Sequence, residues 1–216
     1  GMTGTGKTDV LQQLDHSLDL EGYAHHRGSS FGKHATGQPS QIDFEHRLSI
    51  SMLKKTAQGH QGFVLEDESQ TIGRCSLPLS LYRGMQQWPI IWLEDSLENR
   101  ITRIVRDYVQ NLHAEFTQQH DPQTGFALFA EQLRQSLARI TKRLGHQRYQ
   151  QLSAIMDAAL QEQERSGALD DHRDWIGGLL AQYYDPMYSY QREQKKDRVI
   201  FQGDADAVLN YLRRHG

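Results

Sequence analysis

Gly1-Met2-Thr3-Gly4-Thr5-Gly6-Lys7-Thr8 opens the chain and satisfies G-x-x-x-x-G-K-[ST] in full. The spacing has a physical cause. Glycines let the backbone curl so that successive N–H groups turn inward around a phosphate. A helix running on from Gly6 adds the partial positive charge of its first turn. Lys7 supplies a full charge for the outer phosphates, and Thr8 a hydroxyl for Mg²⁺. The motif therefore predicts Gly1, Gly4, Thr5, Gly6, Lys7 and Thr8 as a phosphate cradle, with Lys7 as its catalytic cation. It is silent on which phosphate compound binds.

Working outward, Val10, Leu11, Leu14 and Leu18 fall at helical spacing. A strand is expected over Asp19 to Ala24, then a loop rich in Gly, Ser and His from His25 to Pro39. Ser40 is placed to cap a helix whose buried side carries Ile42, Phe44, Leu48, Met52 and Leu53. Phe63-Val64-Leu65 reads as a buried strand ending in Glu66-Asp67-Glu68. An acid at such a strand end is where P-loop proteins hold Mg²⁺ through its water shell. Thr8, Glu66 and Asp67 are thus the expected Mg²⁺ set, and Asp67 is a second catalytic candidate.

A helix is expected around 78–87 and a strand from Pro89 to Leu93. Ser96 should cap a long helix with Leu97, Ile101, Ile104, Val105, Tyr108, Leu112 and Phe116 as its stripe. Residues 123–184 read as all-helical, broken at Asp185-Pro186. A last strand covers Arg198 to Gln202, and Asp204 caps a helix packed through Val208, Leu209 and Leu212. Alternating strands and helices mean a parallel sheet with right-handed crossovers. The expected class is α/β: a P-loop NTPase-like, nucleotide-kinase-like sheet with a helical lid-like insertion between its fourth and fifth strands. This count includes a first strand ahead of Gly1, which the loop needs. The predicted units are a core at 1–97, the insertion at 98–184, and the last strand and helix at 185–216. A chain that opens inside a motif, without Met, reads as the C-terminal part of a longer protein.

With 37% hydrophobic and 24% charged residues, the 216-residue chain can build an ordinary core and is not a disordered polyampholyte. The net charge of −3 is unevenly spread: −4 over 1–99, +4 over 100–148 and −3 over 149–216. The basic third contains Leu133, Leu137, Ile140 and Leu144 on one helical stripe, with Arg139, Lys142, Arg143 and His146 opposite and Arg148 just beyond. This face is a candidate polyanion contact. Cys75, the one cysteine, cannot form an internal disulfide and favours a reducing, cytoplasmic compartment. It reads as a buried filler. The longest apolar run, Ile90 to Leu93, is far too short to span a membrane. His25 to Ser30 is a candidate anion or base clasp, but His25, His26, His34 and Cys75 lack the spacing of a zinc site. Tyr183, Tyr184, Tyr188 and Tyr190 read as core packing near a domain edge, with stacking on bases as the alternative.

GMTGTGKT (1–8), DLEGYAHHRGSSFG (19–32), QPSQIDFEHRL (38–48), LEDESQTIG (65–73) and YYDPMYSYQ (183–191) together resemble the tRNA 2-selenouridine synthase family, across essentially the whole chain. The resemblance implies a transferase acting on the wobble uridine of tRNA. Its reaction would convert 2-thiouridine to 2-selenouridine through an S-geranyl intermediate, with geranyl diphosphate and selenophosphate as co-substrates. It also implies an N-terminal rhodanese-like domain whose cysteine has no counterpart here, since Cys75 lies in the other domain. Gln70 stands where the resemblance would put an arginine. On this reading Arg139, Lys142, Arg143 and Arg148 would bind tRNA. Two other classes fit the residues alone: an ATP-dependent small-molecule kinase, marked by phosphoryl transfer without tRNA, and a non-catalytic tRNA-binding module, marked by tRNA affinity without chemistry.

Overall fold

Gly4 and Gly6 adopt φ values of 80° and 83°, a region that residues without a Cβ enter freely, and the chain turns there into helix α1 (Lys7–Leu11). The computed structural model describes residues 1–215. Helix α1 is five residues long, so the apolar positions expected on one helix divide. Leu14 lies beyond it and Leu18 in strand β1 (Ser17–Leu18). Val10 and Leu14 pack with Leu93, Val208, Leu209 and Leu212, whereas Leu18 packs with Leu20, Phe44 and Leu48.

Asp19 to Ala24, expected as a strand, is instead helix α2 (Leu20–Ala24). The cause is a cap: Asp19 Oδ1 accepts from Gly22 N at 2.7 Å, which satisfies an orphan donor of the first turn. Helix α3 (Gln41–Ala57) starts where Ser40 predicts, with Ser40 Oγ accepting from Asp43 N at 3.1 Å. Phe44 and Leu48 are buried, but Ile42 and Leu53 are 65% and 69% exposed. The buried face is therefore narrower than the apolar stripe.

Strand β2 (Val64–Leu65) lies parallel to β1, with Ser17 opposite Val64. Strands β3 (Thr71–Ile72) and β4 (Cys75–Ser76) form a small antiparallel hairpin turned at Gly73, which the sequence reading did not anticipate. After helix α4 (Leu79–Met85), strand β5 (Ile90–Leu93) pairs in parallel with β6 (Val199–Gly203). The two parallel ladders are not hydrogen-bonded to each other among the described residues. The glycine loop starts against the end of β5: a Cβ on Gly1 would meet the Leu93 carbonyl oxygen at 2.5 Å.

Between β5 and β6 the chain is helical. Helix α5 (Leu97–Ile104), capped by Ser96, passes through a π-helical segment (Val105–Gln110) into α6 (Asn111–Thr117). Then come α7 (Pro122–Arg139), α8 (Thr141–Leu144), α9 (His146–Ser166) and α10 (His172–Leu179). Leu133, Leu137, Ile140 and Leu144 are all buried, yet they do not share one helix. Ile140 leaves helical geometry and Gly145 has φ 89°, so the basic residues opposite them are spread over three helices. A second π segment (Leu180–Tyr184) leads straight into α11 (Asp185–Gln194). The helical region is thus not broken at Asp185-Pro186, because Pro186 falls in a first turn, where a missing N–H costs least. A 3₁₀ turn (Lys196–Arg198), β6 and α12 (Ala205–His215) complete the chain, with Asp204 Oδ1 capping Ala207 N at 2.9 Å. The architecture is α/β, mostly helical, with short parallel ladders. No helix among the described residues is long and apolar enough to cross a membrane.

Orientation of α3 is testable. Phe44→Ala empties a fully buried position and should cost about 3–5 kcal/mol, while Ile42→Ala should stay within about 0.5 kcal/mol. Urea denaturation of the full-length protein measures both; equal losses would mean that α3 presents a different face.

Candidate phosphate-binding site

The loop is held from behind by two arginines of α5. Arg100, only 4% exposed, donates through Nε to Thr3 O at 2.9 Å, and its guanidinium grips both oxygens of Asp185 at 2.5 and 3.1 Å. Arg103 donates to Gly4 O and to Asp95 Oδ2, and pairs with Asp9 at 3.2 Å. Within the loop Thr5 Oγ1 donates to Met2 O at 2.9 Å, and Lys7 Nζ approaches the same carbonyl at 3.4 Å. These bonds engage the Met2, Thr3 and Gly4 carbonyls, and Thr5 N also donates to Met2 O at 3.4 Å.

Lys7 is ringed by acids. Burial lowers the lysine's pKa, but Tyr188, Glu21, Glu68 and Glu66 outweigh it and the net shift is upward. Glu21 and Glu68 share a hydrogen bond, and burial followed by the Glu68 charge pushes the Glu21 carboxyl well above its ordinary range. Both reach the edge of Gly28, where a Cβ would lie 2.2 Å from Glu21 Oε1 and 3.2 Å from Glu68 Oε1. Glu66 is 3% exposed, accepts Leu20 N at Oε2 and has no partner at Oε1. Burial, then Asp19, pushes it up to about 8. Asp67 is exposed and paired with Lys195 at 2.6 Å. Of Thr8, Glu66 and Asp67, expected to hold Mg²⁺, Asp67 is paired with Lys195 and Glu66 keeps one unpartnered oxygen.

The His-rich loop is clamped to α6. Glu115 accepts from Arg27 Nη2 at 2.9 Å, from His34 Nδ1 at 2.8 Å and from Ala35 N at 3.0 Å. Ser29 and Ser30 bond to the hydroxyls of Tyr108 and Tyr184 at 3.1 and 2.9 Å. Behind Thr3 lies a narrow apolar crevice lined by Phe31, Ile104, Tyr108, Trp175 and Tyr184, among others. Trp175 is fixed by a buried relay: its Nε1 donates to His172 Nδ1, and His172 Nε2 donates to Gln163 Oε1, both at 2.8 Å.

Of the basic residues singled out, Lys142, Arg143 and Arg148 are exposed. Arg139 is exposed as well, and donates to Ser30 O and Ser136 Oγ. Tyr184 is buried, Tyr183 and Tyr188 pack against the helical core, and Tyr190 is 68% exposed. Cys75 is buried, and burial raises its thiol pKa.

Residues 1–216 match the family model described as the tRNA 2-selenouridine synthase AAA domain. The chain belongs to this family. It is 66% identical over 213 residues to a tRNA 2-selenouridine synthase of Bordetella petrii, covering 99% of this chain and 57% of that protein. Relatives of the same name from Bordetella bronchiseptica and Pseudomonas putida are 61% and 62% identical, over 100% and 99% of this chain and 59% and 58% of their own lengths. The chain thus spans somewhat under three fifths of the relatives it matches. No solved structure matches it.

Within this synthase domain the sequence reading missed Arg100, Arg103, Glu21, Glu68 and Glu115. Glu21 and Glu68 lie inside the quoted DLEG and LEDES blocks, so their positions were visible while their convergence on Lys7 was not. Glu115 carries a pH signature. Burial pushes its carboxyl up, but the hydrogen bonds from His34 and Ala35 N and the charges of His34 and Arg27 prevail and bring it from 4.5 to about 2. A depressed carboxyl stabilises the fold fully above its unfolded pKa, and the contribution fades as pH falls from about 4.5 toward 2. Glu115→Gln should flatten the decline of stability in that window and speed amide exchange in residues 25–37. An unchanged acid limb and unchanged exchange would show that Glu115 does not hold the loop.

Proposed function

We propose that this chain is the phosphate-binding part of a transferase that converts 2-thiouridine to 2-selenouridine at the tRNA wobble position by way of S-geranyl-2-thiouridine. Geranyl diphosphate and selenophosphate are its co-substrates, and the reaction belongs in the cytoplasm. The observation that carries the reading is the complete G-x-x-x-x-G-K-T loop, with acids around Lys7 that shift its pKa upward, in a chain of this family. A rhodanese-like domain is assigned to the remaining length of the relatives. The helices between β5 and β6 take the place of a lid in a P-loop NTPase-like, nucleotide-kinase-like fold. Mg²⁺ enters this reading only as a companion of the diphosphate.

The chemistry follows from the residues. The S2 sulfur attacks the first carbon of the geranyl group, and the C–O bond to diphosphate breaks with its electron pair on oxygen. Loop N–H groups and Lys7 stabilise the charge that grows there. S-alkylation removes the N3 proton of the thiouridine, which passes to solvent or to a base of the site. Phosphates of the tRNA are assigned to Lys142, Arg143, Arg148 and Arg139, the last after it releases Ser30.

Lys7→Ala removes the full charge of the loop, and losing a charge-assisted hydrogen bond costs about 1.5–3 kcal/mol. Geranylation by the full-length enzyme should fall at least about tenfold; unchanged kinetics would eliminate the diphosphate assignment. Replacing Arg139, Lys142 and Arg143 with Glu should weaken tRNA binding and reduce its salt slope by somewhat under one unit per lost contact, while geranyl diphosphate still binds. Wild-type tRNA affinity and slope would place the RNA elsewhere.

A further inference from the structure

One peptide plane of the phosphate loop is steered from outside the loop. In a planar trans peptide the C=O of one residue and the N–H of the next point in opposite directions. Arg100 Nε of α5 donates to Thr3 O at 2.9 Å, so the N–H of Gly4 points away from α5. That N–H finds no acceptor among the described residues. On the other side Gly4 lies directly against α5: a Cβ there would meet Ile104 Cδ1 at 2.8 Å and Arg100 O at 3.0 Å.

Arg100 is in turn aimed by one carboxylate. Its Nη1 and Nη2 donate to Asp185 Oδ2 and Oδ1 at 3.1 and 2.5 Å. Asp185, the first residue of α11, meets the loop through this guanidinium. A bidentate carboxylate leaves a guanidinium little freedom of orientation. With both terminal nitrogens spent on Asp185, Nε is held toward Thr3 O. A donor fixed in this way needs no reorganisation when an anion arrives.

We propose that Asp185 is a positioning residue of the phosphate loop: acting through Arg100, it sets the Thr3–Gly4 peptide plane so that Gly4 N–H is a preorganised donor to a bound phosphate. The inference rests on the reading of the loop as a diphosphate cradle, and it gives Asp185 no contact with the ligand. Positioning is separable from stability. Removing one charge of a buried pair leaves the other unpaired and destabilises the fold under either role. Removing both, as in Arg100→Met/Asp185→Leu, takes away the buried charge and is often neutral for stability, yet it does not restore the tie to Thr3 O.

Thermal melts and calorimetric titration with inorganic diphosphate, both on the full-length protein, test this with Asp185→Asn, the double variant, Lys7→Ala and Glu98→Gln. Glu98 of α5 pairs with Arg173 at an exposed position and is the control, expected to bind as wild type. Asp185→Asn, titrated below its melting temperature, should bind diphosphate about tenfold more weakly, the scale of one charge-assisted hydrogen bond. The double variant should melt above Asp185→Asn and still bind about tenfold more weakly than wild type. Wild-type affinity in the double variant would make the pair purely structural and overturn the assignment. So would wild-type affinity in Asp185→Asn, which decides alone if the double variant does not fold. An equal loss in Glu98→Gln would mark a general effect of α5 and overturn it as well. In each case Lys7→Ala still weakens binding and the cradle stands. If Lys7→Ala binds normally, the cradle reading falls and this inference with it.

Discussion

The Arg100 guanidinium is the interaction on which the site depends. A charge at 4% exposure is tolerable only if its donors are used, and here they reach Thr3 O, Met2 Sδ and both oxygens of Asp185. One side chain of α5 therefore joins the phosphate loop to the start of α11. Arg103, one turn further, engages Gly4 O from the same side and lies so close to Gly6 that a Cβ there would meet its guanidinium at 3.0 Å. The loop's shape thus has two sources: glycines that permit the bend, and arginines that tie its carbonyls to the rear. A lysine at position 100 could not reproduce the planar fork that serves a carbonyl and a carboxylate together.

A second tie works the same way on the other flank. Glu115 gathers a guanidinium, an imidazole and a backbone N–H of the His-rich loop, so residues 25–37 are docked on the helices after β5 while their start borders Glu21. The helices after β5 hold the preceding loops through such polar clasps: Arg100 and Arg103 to the glycine loop, Glu115 to the His-rich loop, and two tyrosines to Ser29 and Ser30. Among the described residues, Phe31 is the one residue ahead of β5 that joins the large apolar cluster of the helices as a buried member.

These clasps explain what was legible in the sequence and what was not. Signals local in sequence read correctly: the glycine loop, the caps at Ser40, Ser96 and Asp204, the strand at Ile90–Leu93 and the helical character of 123–184. Each depends on residues within a turn or two of one another. Asp19 to Ala24 was misread because an apolar-polar alternation and a capped short helix look alike over six residues, and the deciding bond from Gly22 N to Asp19 is a single local choice. The helix break at Ile140 and Gly145 was hidden because the apolar spacing runs through it unaltered. Arg100, Arg103 and Glu115 were illegible for a different reason. Their partners lie about 80 to 100 residues away in sequence, and nothing about an arginine on a helix shows which carbonyl it will hold.

Electrostatics decides whether such a site can hold an anion at all. Glu21, Glu68 and Glu66 all act on the Lys7 charge, and ionised acids beside the loop would oppose an anion there. The arrangement avoids this. Glu21 is raised by burial and by its hydrogen-bonded neighbour Glu68, Glu66 is raised to about 8, and Asp67 is neutralised by Lys195. Burial thus works against the charge on Glu21 and Glu66, while the acids around Lys7 shift its pKa upward. An arriving diphosphate adds negative charge beside the same carboxyls and favours their protonated forms further. The lysine is therefore the fixed charge of the site and the acids are the adjustable ones, which lets a strongly acidic sequence segment border a phosphate loop without abolishing its purpose.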